Sequence, residues 1–528
     1  MTAKPEPFSY STYEQGAQDE ESAREPEVGF LDQVIEQAVD SSTTRTDARM
    51  AGIVDGSLSD EEVLRLWFGN LEERVAQLGF ANWKRAVSRR LTHDTAEIDQ
   101  LLSDQLNAVL HHPRFQELES AWRGLAMTVE AAHQERTGQI RVRMLNVSWR
   151  EIHRDFERAN EFDGSQLFKK IYEDEFGTPG GIPFSVMIGN YEIHPRPTAA
   201  HPQDDVAVLR HLAGVAAAAF CPFVCGAAPS MFGVDSFLDL QATKDLSRGF
   251  QLAEFLKWRS LRKEDEARFV GIALPRILMR EPYKLEDTEG FCFTENVVAE
   301  HVDNYLWGNA AFAWATVLIR AFAQTGWLAD IRGTERNREG GGLVTGLPTV
   351  PFGTDREGVA LRSSTDLLVT DQQEAELAKL GFLPLCQCHD TEYAAFYSSQ
   401  SIQTPATYDS AVATANANIS SMLQYMLCVS RFSHYLKVIA RDIIGSATEP
   451  EEMRTRLDAW IKDYVTPDDS ARPEVKARRP LRQAEVSVVR DPGKPGTFMC
   501  TFSLLPHYQL DDLSASIRLQ TTFSKRDS

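Results

Sequence analysis

The sequence lacks the short motifs that most often mark catalysis or nucleotide binding. It contains no G-x-x-x-x-G-K-[ST], no G-x-G-x-x-G after a predicted strand, no H-E-x-x-H and no G-x-S-x-G. The glycine clusters Gly180-Gly181 and Gly340-Gly341-Gly342 have no flanking Lys with Ser or Thr, which phosphate binding requires. We interpret them as turns or a flexible loop, and the motifs predict no catalytic residue and no cofactor.

Basic charge and long apolar runs are also scarce. The chain has 55 Lys and Arg against 76 Asp and Glu, a formal net charge of −21. Nucleic acid and an anionic membrane surface are therefore not predicted partners, because both need a basic footprint. The longest uncharged stretch, between Leu212 and Asp235, is interrupted by two prolines, and residues 1–29 have no apolar signal segment. No membrane insertion is predicted.

Cysteine is sparse and scattered, with seven residues in 528. An odd, dispersed set is typical of reduced thiols in a cytosolic protein. The best metal candidate is Cys386-Gln-Cys388-His389, which could supply part of a zinc site. A second half with ligand spacing is missing, and strand alternation places both thiols on one face. We favour buried structural thiols and predict no metal.

The stretch from Leu110 to Ala126 contains a second candidate for chemistry, His111-His112. One of these histidines could act as a catalytic base, but no nucleophile or paired carboxylate is indicated nearby, so capping or packing is favoured. Two helices are predicted to meet there, the first capped by Asp94 and the second beginning at Pro113. The second helix has a bulky apolar stripe, interpreted as a packing face, which consists of Phe115, Leu118, Trp122, Leu125 and Val129.

Alternating helical and strand periods predict a mixed α/β core. Five segments are predicted: an acidic extension over 1–58, a helical region over 59–135, the α/β core over 136–400, a helical region with a basic linker over 401–480, and terminal strands over 481–528. Ser59 with Glu62 forms a predicted capping box. The predicted strands are 140–145, 184–188, 222–225 and 269–274, and the predicted helices are 149–172, 204–219, 304–325, 371–376, 415–445 and 451–464.

The acidic extension contains one short amphipathic helix. Residues 1–60 carry 13 acidic and four basic side chains, and the apolar side chains of 30–39 follow helical spacing. A helix of this length cannot bury its stripe alone, so either the body of the chain or another protein covers it. The residues of this element are Phe30, Leu31, Val34, Ile35, Ala38 and Val39.

The other end of the chain predicts a β-hairpin, 484–489 and 498–505, followed by a third strand, 514–523. A hairpin at the end of a chain is only marginally stable unless another segment completes its sheet. The alternating residues of these strands include Val486, Val488, Phe498, Phe502, Ile517 and Leu519. A basic run just before the hairpin is either an electrostatic docking surface or a solvated linker. Its residues are Arg472, Lys476, Arg478, Arg479 and Arg482.

Several motifs in order give the chain a family resemblance. They are Phe80-Ala-Asn-Trp83-Lys-Arg85, Leu110-His-His-Pro-Arg-Phe through Trp122-Arg-Gly-Leu125, Gly271-Ile-Ala-Leu-Pro-Arg276 with Glu281-Pro-Tyr283, Trp307-Gly-Asn-Ala310 and Pro506-His507-Tyr-Gln-Leu510. With them, the chain resembles the large subunit of the type VI secretion contractile sheath, the TssC or VipB family, over nearly its whole length.

The resemblance implies a structural protein with a sheath-like fold, and not an enzyme. It implies pairing with a small sheath subunit, polymerisation of the pairs into a six-fold helical tube around inner-tube hexamers, contact with a baseplate, and contraction. It also implies a cytoplasmic location, in a complex anchored at the membrane through other components. The terminal strands would pair with neighbouring subunits, and the helix at 30–39 would be recognised by an AAA+ unfoldase that disassembles the contracted sheath.

Two alternatives remain open from the sequence. One is a sheath protein of a related contractile particle or phage tail, which would have no need of the helix at 30–39 for recycling. The other is a hydrolase that uses His111 or the Cys386–His389 cluster.

Overall fold

The computed structural model describes most of the chain beyond residue 70. The described residues are 59, 62, 65, 71–135, 138–159, 161–199, 201–243, 245–285, 291–297, 302–334, 339–349, 364–388, 391–443, 449–468, 470–490, 497–507 and 517–524. The predicted helix at 30–39 and His389 lie outside them. The chain divides into two units, one ending at Val109 and one beginning at Leu110.

The first unit is helical where it is described. Helix α1 covers Leu71–Leu78, and α2 runs without interruption over Phe80–Leu110, its last residue opening the second unit. The capping box at Ser59 is confirmed, since the Ser59 backbone N–H donates to Glu62 Oε2 over 3.0 Å. The predicted cap at Asp94 is wrong, because Asp94 lies inside α2, where it accepts a hydrogen bond from Arg90 one turn earlier. The helix begins before Asp94 and continues past it, so Asp94 does not mark its start.

The second unit contains the other helices and all the described strands. Its helices are α3 (Pro113–Gln134), α4 (Trp149–Arg158), α5 (Gln166–Phe168, continued by a π-helical Lys169–Gly177), α6 (Asp205–Ala219), α7 (Leu256–Leu261), α8 (Ala310–Thr325), α9 (Asp371–Lys379), α10 (Ala411–Ser420), α11 (Leu423–Ile443), α12 (Pro450–Lys462) and α13 (Pro473–Arg478). Its strands are β1 (Met187–Ile193), β2 (Phe223–Ala227), β3 (Val270–Leu274), β4 (Ile277–Leu278), β5 (Trp307–Gly308), β6 (Leu343–Val344), β7 (Leu383–Gln387), β8 (Ala394–Phe396), β9 (Leu481–Arg490), β10 (Thr497–Pro506) and β11 (Ile517–Ser524).

The central sheet confirms the predicted mixed α/β fold. Its order is β1-β2-β3-β7-β8-β6. Strands β1, β2, β3 and β7 are parallel to one another, and β8 is antiparallel to both of its neighbours, β7 and β6. Val224 and Leu385 face a core that includes α8, whereas Cys225 and Ile272 face a second core that includes Leu209 of α6. Because helices cover both faces, the central strands read as continuous apolar runs.

Several predicted elements differ in the structure. Residues 140–145 form no strand, and the strand predicted over 184–188 is displaced to β1. The helix predicted from 304 begins at Ala310, because Asn309 accepts from the Ala311 backbone N–H and Trp307–Gly308 pairs with β4 instead. The helix predicted over 149–172 breaks after Arg158, where Asp155 accepts the backbone N–H groups of Gln166 and Leu167. The helix predicted over 415–445 is interrupted between Ser420 and Leu423.

Helix α3 packs against α8 through small residues. Its buried positions are Ser120, Gly124 and Thr128, spaced four residues apart. A Cβ at Gly124 would lie 2.3 Å from the Phe312 ring, so glycine permits the two helices to approach closely. The start of α3 at Pro113 is confirmed. The interpretation of its bulky stripe as a packing face is wrong for Leu118, Trp122 and Val129, which are exposed, whereas Phe115 and Leu125 are half-buried.

The last strands form a separate antiparallel sheet in the order β11-β10-β9, which confirms the predicted hairpin and third strand. Val486, Phe502 and Leu519 occupy one row across the three strands. The inward face packs on α12 and α11, where Cys500 Sγ lies 3.9 Å from Met453 Sδ and Tyr425 donates to the Leu504 carbonyl. The sheet thus has one face in the core of its own chain.

Candidate assembly surfaces

One exposed apolar surface of the second unit lies on α3. We call Leu118, Trp122 and Val129 the α3 outer stripe, and their exposed fractions are 52%, 58% and 46%. They recur at steps of four and seven and therefore lie along one side of the helix. A large exposed tryptophan flanked by apolar neighbours is the composition of a protein interface rather than of a free surface.

A buried ion network fixes the beginning of α3. The Arg280 guanidinium donates to Glu119 Oε1 over 2.9 Å and to Glu295 Oε1 over 3.0 Å. His111 Nε2 lies 3.3 Å from the same Glu295 oxygen, and the Tyr283 backbone N–H donates to Glu295 Oε2. Burial alone would raise the pKa of Glu295. The hydrogen bonds from His111, Arg280 and Tyr283 outweigh that effect and lower the pKa from its ordinary value to about 2.

This network gives His111 a structural role. Sequence reasoning found no carboxylate for it, because Glu295 lies 184 positions further along the chain and no local pattern links the two. The Glu295 side chain is 1% exposed and both of its oxygens already accept hydrogen bonds. It therefore holds α3 in place and has no lone pair directed at a substrate. This geometry opposes the hydrolase alternative at His111.

The first unit has a comparable apolar surface on α2. Leu91, Ile98, Leu101 and Leu102 are all exposed, whereas the polar Asp94 is buried. The usual arrangement of a surface helix, with apolar residues inward, is thus inverted. The sequence signal was the helical spacing of these residues, but spacing does not reveal which side of a helix its own chain covers.

The terminal strands divide the predicted inter-subunit residues into two groups. Val486 and Phe502 are buried in the core of their own chain, and Val488 packs against it. Phe498, Ile517 and Leu519 are placed by register only, opposite Arg490, Leu504 and Phe502. Any contact of this sheet with another subunit would therefore use the backbone edge of β9 or β11 rather than these two buried side chains.

The basic run spans a short helix and the start of the strand that follows it. Lys476 and Arg478 lie in the last turn of α13, which Ala477 anchors in the core. Arg472 precedes that helix, Arg479 follows it and Arg482 belongs to β9. The four arginines are exposed and Lys476 is half-buried. A folded helix holds these charges in fixed positions, as a docking surface requires.

The Cys386 cluster has the properties of a structural strand. Cys386 is buried on β7, and burial raises the pKa of its thiol to about 12. Cys388 is half-exposed, and its sulfur lies 3.6 Å from the Tyr397 hydroxyl. The two thiols do not share one environment, which weakens them as a pair of metal ligands.

One titratable cluster escaped the sequence reasoning altogether. His194, His201 and Asp205 come together where β1 ends and α6 begins. The available signal was the spacing of His201 and Asp205, four residues apart. Separately, no helix in the described part of the chain combines the length and apolar character of a membrane span.

Comparison with known proteins shows the family to which the chain belongs. A family model described as EvpB/VC_A0108, tail sheath N-terminal domain matches residues 92–403, and a second, described as EvpB/VC_A0108, tail sheath gpW/gp25-like domain, matches 412–523. These two matches define the chain as a tail sheath protein. The chain belongs to the TssC/VipB family of sheath proteins.

A relative and a solved structure can be named. The chain is 41% identical over 429 residues to the type VI secretion system sheath protein TssC1 of Pseudomonas aeruginosa, covering 80% of this chain and 84% of the relative. A crystal structure of a sheath tail protein from Desulfitobacterium hafniense aligns over 60% of each chain with 11% identity and a TM-score of 0.27. That superposition is too poor to support any structural argument.

Proposed function

We propose that this chain is the large structural subunit of a type VI secretion contractile sheath. The 41% identity to a sheath protein over four-fifths of the chain supports this function. In this role the chain is not an enzyme and works in the cytoplasm, in a complex anchored at the membrane through other components. Its partners are the small sheath subunit, further copies of the resulting pair in a six-fold helical tube, the inner-tube hexamers and the baseplate.

The exposure of the α3 outer stripe is the main structural support for assembly with another protein. The small residues of α3 satisfy its contact with α8, so its bulky residues remain available to a second protein. We assign this surface to the small sheath subunit, because a constitutive partner is needed to cover a tryptophan that is 58% exposed. The exposed leucines of α2, in the first unit, need a covering partner in the same way.

The terminal sheet supplies a second mode of contact. Beyond its bridge to Val465 near Leu481, β9 pairs only with β10 among the described residues. A strand from a neighbouring copy would add to a free sheet edge by backbone hydrogen bonds and so link subunits that slide during contraction. The basic residues of α13 would dock on the acidic N-terminal extension of another copy.

The helix predicted at 30–39 would serve disassembly. Its position near the N-terminus matches the place where the family carries its AAA+ unfoldase recognition element. A protein from which residues 30–39 are deleted should still assemble but should no longer bind the unfoldase in a pull-down. Retained binding would remove this assignment and would favour a contractile particle without recycling.

Co-expression with the small-subunit gene, followed by negative-stain microscopy, tests the main proposal. Hollow tubes with a cogwheel cross-section are expected from the unaltered chain, whereas monomers alone would contradict a sheath function. Leu118→Glu should abolish tubes and co-purification without unfolding the chain, because the side chain is exposed.

Leu252→Glu is the matched control, since Leu252 is 53% exposed but lies outside both helical stripes. It should leave assembly unchanged. Normal tubes from the Leu118→Glu protein would disprove the assignment of α3 as the partner surface while leaving the sheath function standing.

A further inference from the structure

We propose that His194, His201 and Asp205 form a binding site for a divalent transition metal ion of the zinc class. The three residues meet at the carboxyl end of β1, the edge strand of the central sheet. His194 follows the strand directly, Asp205 is the first residue of α6, and His201 lies in the loop between them. One ligand atom from each residue lies within 4.8 Å of the others.

The donor set fits zinc better than calcium or magnesium. Two imidazoles and one carboxylate are the ligands of many zinc sites, whereas the harder cations prefer oxygen alone. His194 Nδ1 lies 3.3 Å from Asp205 Oδ2, and His201 Nε2 lies 2.7 Å from Oδ1. Ligand atoms about 2.0–2.1 Å from a tetrahedral ion are roughly 3.3 Å apart, which matches the separation of His194 from Oδ2. His201 lies against the other oxygen, Oδ1, so its imidazole must move toward Oδ2 to bind the same ion.

The carboxylate is already oriented by groups that would remain in place around an ion. The Trp149 indole N–H donates to Asp205 Oδ1 over 2.7 Å, and the His194 backbone N–H donates to Oδ2 over 2.8 Å. Such outer hydrogen bonds fix the direction of a ligating carboxylate. Asp204 is not a competing ligand, because it caps α6 and pairs with Lys257.

The site is open to solvent on its histidine side. The side chains of His194 and His201 are 26% and 24% exposed, while that of Asp205 is fully buried. An ion can therefore enter past the imidazoles and keep water at its remaining position.

Binding requires a small rearrangement. The two imidazole rings are stacked, with centroids 4.2 Å apart and planes 22° apart. A metal ion lies in the plane of each ligating ring, so one ring must turn about its Cβ–Cγ bond. Each ring must also bind in its neutral form, with its one proton on the nitrogen that faces away from the ion.

The ion would join the edge strand, the loop and the first turn of α6. Because the unfolded chain cannot assemble the three ligands, binding raises the stability of the folded form. Zinc should therefore increase the thermal midpoint of the full-length chain, and each ligand substitution should remove that increase.

Isothermal titration of the untagged full-length chain with zinc chloride tests the proposal. We expect one equivalent to bind, and affinity to fall at least tenfold in His194→Ala and in His201→Ala. Asp205 is left intact, because its removal would strand the buried Trp149 N–H. His153→Ala is the matched control, since His153 also contacts a carboxylate, Glu157, four residues away at 3.3 Å, but belongs to no cluster of three possible ligands among the described residues.

Three results would overturn the proposal. They are no stoichiometric binding to the unaltered chain, equal loss of affinity in His153→Ala, and unchanged affinity in both His194→Ala and His201→Ala. The first result would mean that the two histidines and Asp205 are held together by hydrogen bonds alone. None of the three bears on sheath assembly, which is measured separately by tube formation.

Discussion

Arg280 donates to both carboxylate oxygens of Glu295, with Nη2 3.0 Å from Oε1 and Nη1 2.5 Å from Oε2, and both side chains are buried. Replacing Glu295 leaves the buried Arg280 charged, with Glu119 as its one remaining carboxylate partner among the described residues. Glu295→Gln should therefore lower the free energy of unfolding by about 3 kcal/mol in urea denaturation.

Glu281→Gln provides the comparison for that experiment. Glu281 pairs with Lys284 at the surface, so its neutralisation should change the free energy of unfolding by less than about 0.5 kcal/mol. Equal effects of the two substitutions would show that the buried network contributes no more than a surface ion pair.

Acid should weaken the same network in a defined range. The pKa of Glu295 is about 2 in the folded chain, below its ordinary value of 4.5. Its contribution to stability is complete above pH 4.5 and is lost as the pH falls from 4.5 toward 2. The stability difference between the unaltered chain and Glu295→Gln should therefore narrow between pH 5 and pH 3, and a constant difference would contradict the lowered pKa.

Close packing of α3 on α8 gives a third prediction. Alanine is normally the better residue inside a helix, yet Gly124→Ala would place a methyl group 2.3 Å from the Phe312 ring. Gly124→Ala should therefore destabilise the chain by about 1–3 kcal/mol. Gly249→Ala, where a Cβ meets no atom within 4 Å, should be close to neutral. A stabilising Gly124→Ala would mean that the two helices separate at little cost.

Charge reversal tests the surface of α13. Arg478→Glu with Arg479→Glu should impair tube formation without changing the thermal midpoint of the chain, because both side chains are exposed. The same charge change at the exposed Lys169 and Lys170, on the π-helical segment, should leave tubes intact. If both double variants lose tubes equally, net charge rather than this surface controls assembly.

Thiol alkylation should separate the cysteines by burial. Cys292 is exposed, whereas Cys221, Cys225 and Cys428 are buried, and burial raises the pKa of Cys428 to about 12. In the folded chain at pH 8, iodoacetamide should modify Cys292 at least tenfold faster than these three, because only the thiolate reacts. Mass spectrometry of tryptic peptides measures this ratio, and comparable rates would show that the core opens readily.

Sequence reasoning succeeded where the signal was local. The helix over 204–219 and the strand ending at Leu274 were predicted because the residues that form each of them are neighbours in the sequence. Helix α8 was predicted six residues too long, since the apolar pattern of 304–325 is continuous. Its start is set by the side-chain bond of Asn309 and by the pairing of Trp307–Gly308 with β4. The pairing of His111 with Glu295 was beyond reach, because it depends on the tertiary fold.

The most instructive failure concerns α3. Periodicity weighs bulky residues most, so it selected Trp122 and its neighbours as the buried side. The chain instead buries glycine, serine and threonine there, since close approach to α8 needs small side chains. The exposed surfaces of α2 and of the terminal sheet could not be predicted for the same reason. The sequence shows which residues form a stripe, but not which part of the fold covers it.

The apolar outer stripe of α3 would also constrain how a cell produces this protein. If the proposed small subunit covers the stripe, a copy synthesised in excess displays Trp122 to other chains, including other surplus copies. Balanced synthesis of the two subunits is then a condition of solubility as well as of assembly. Selection cannot relieve that hazard by making the outer side of α3 polar, because the same residues are what the partner would bind.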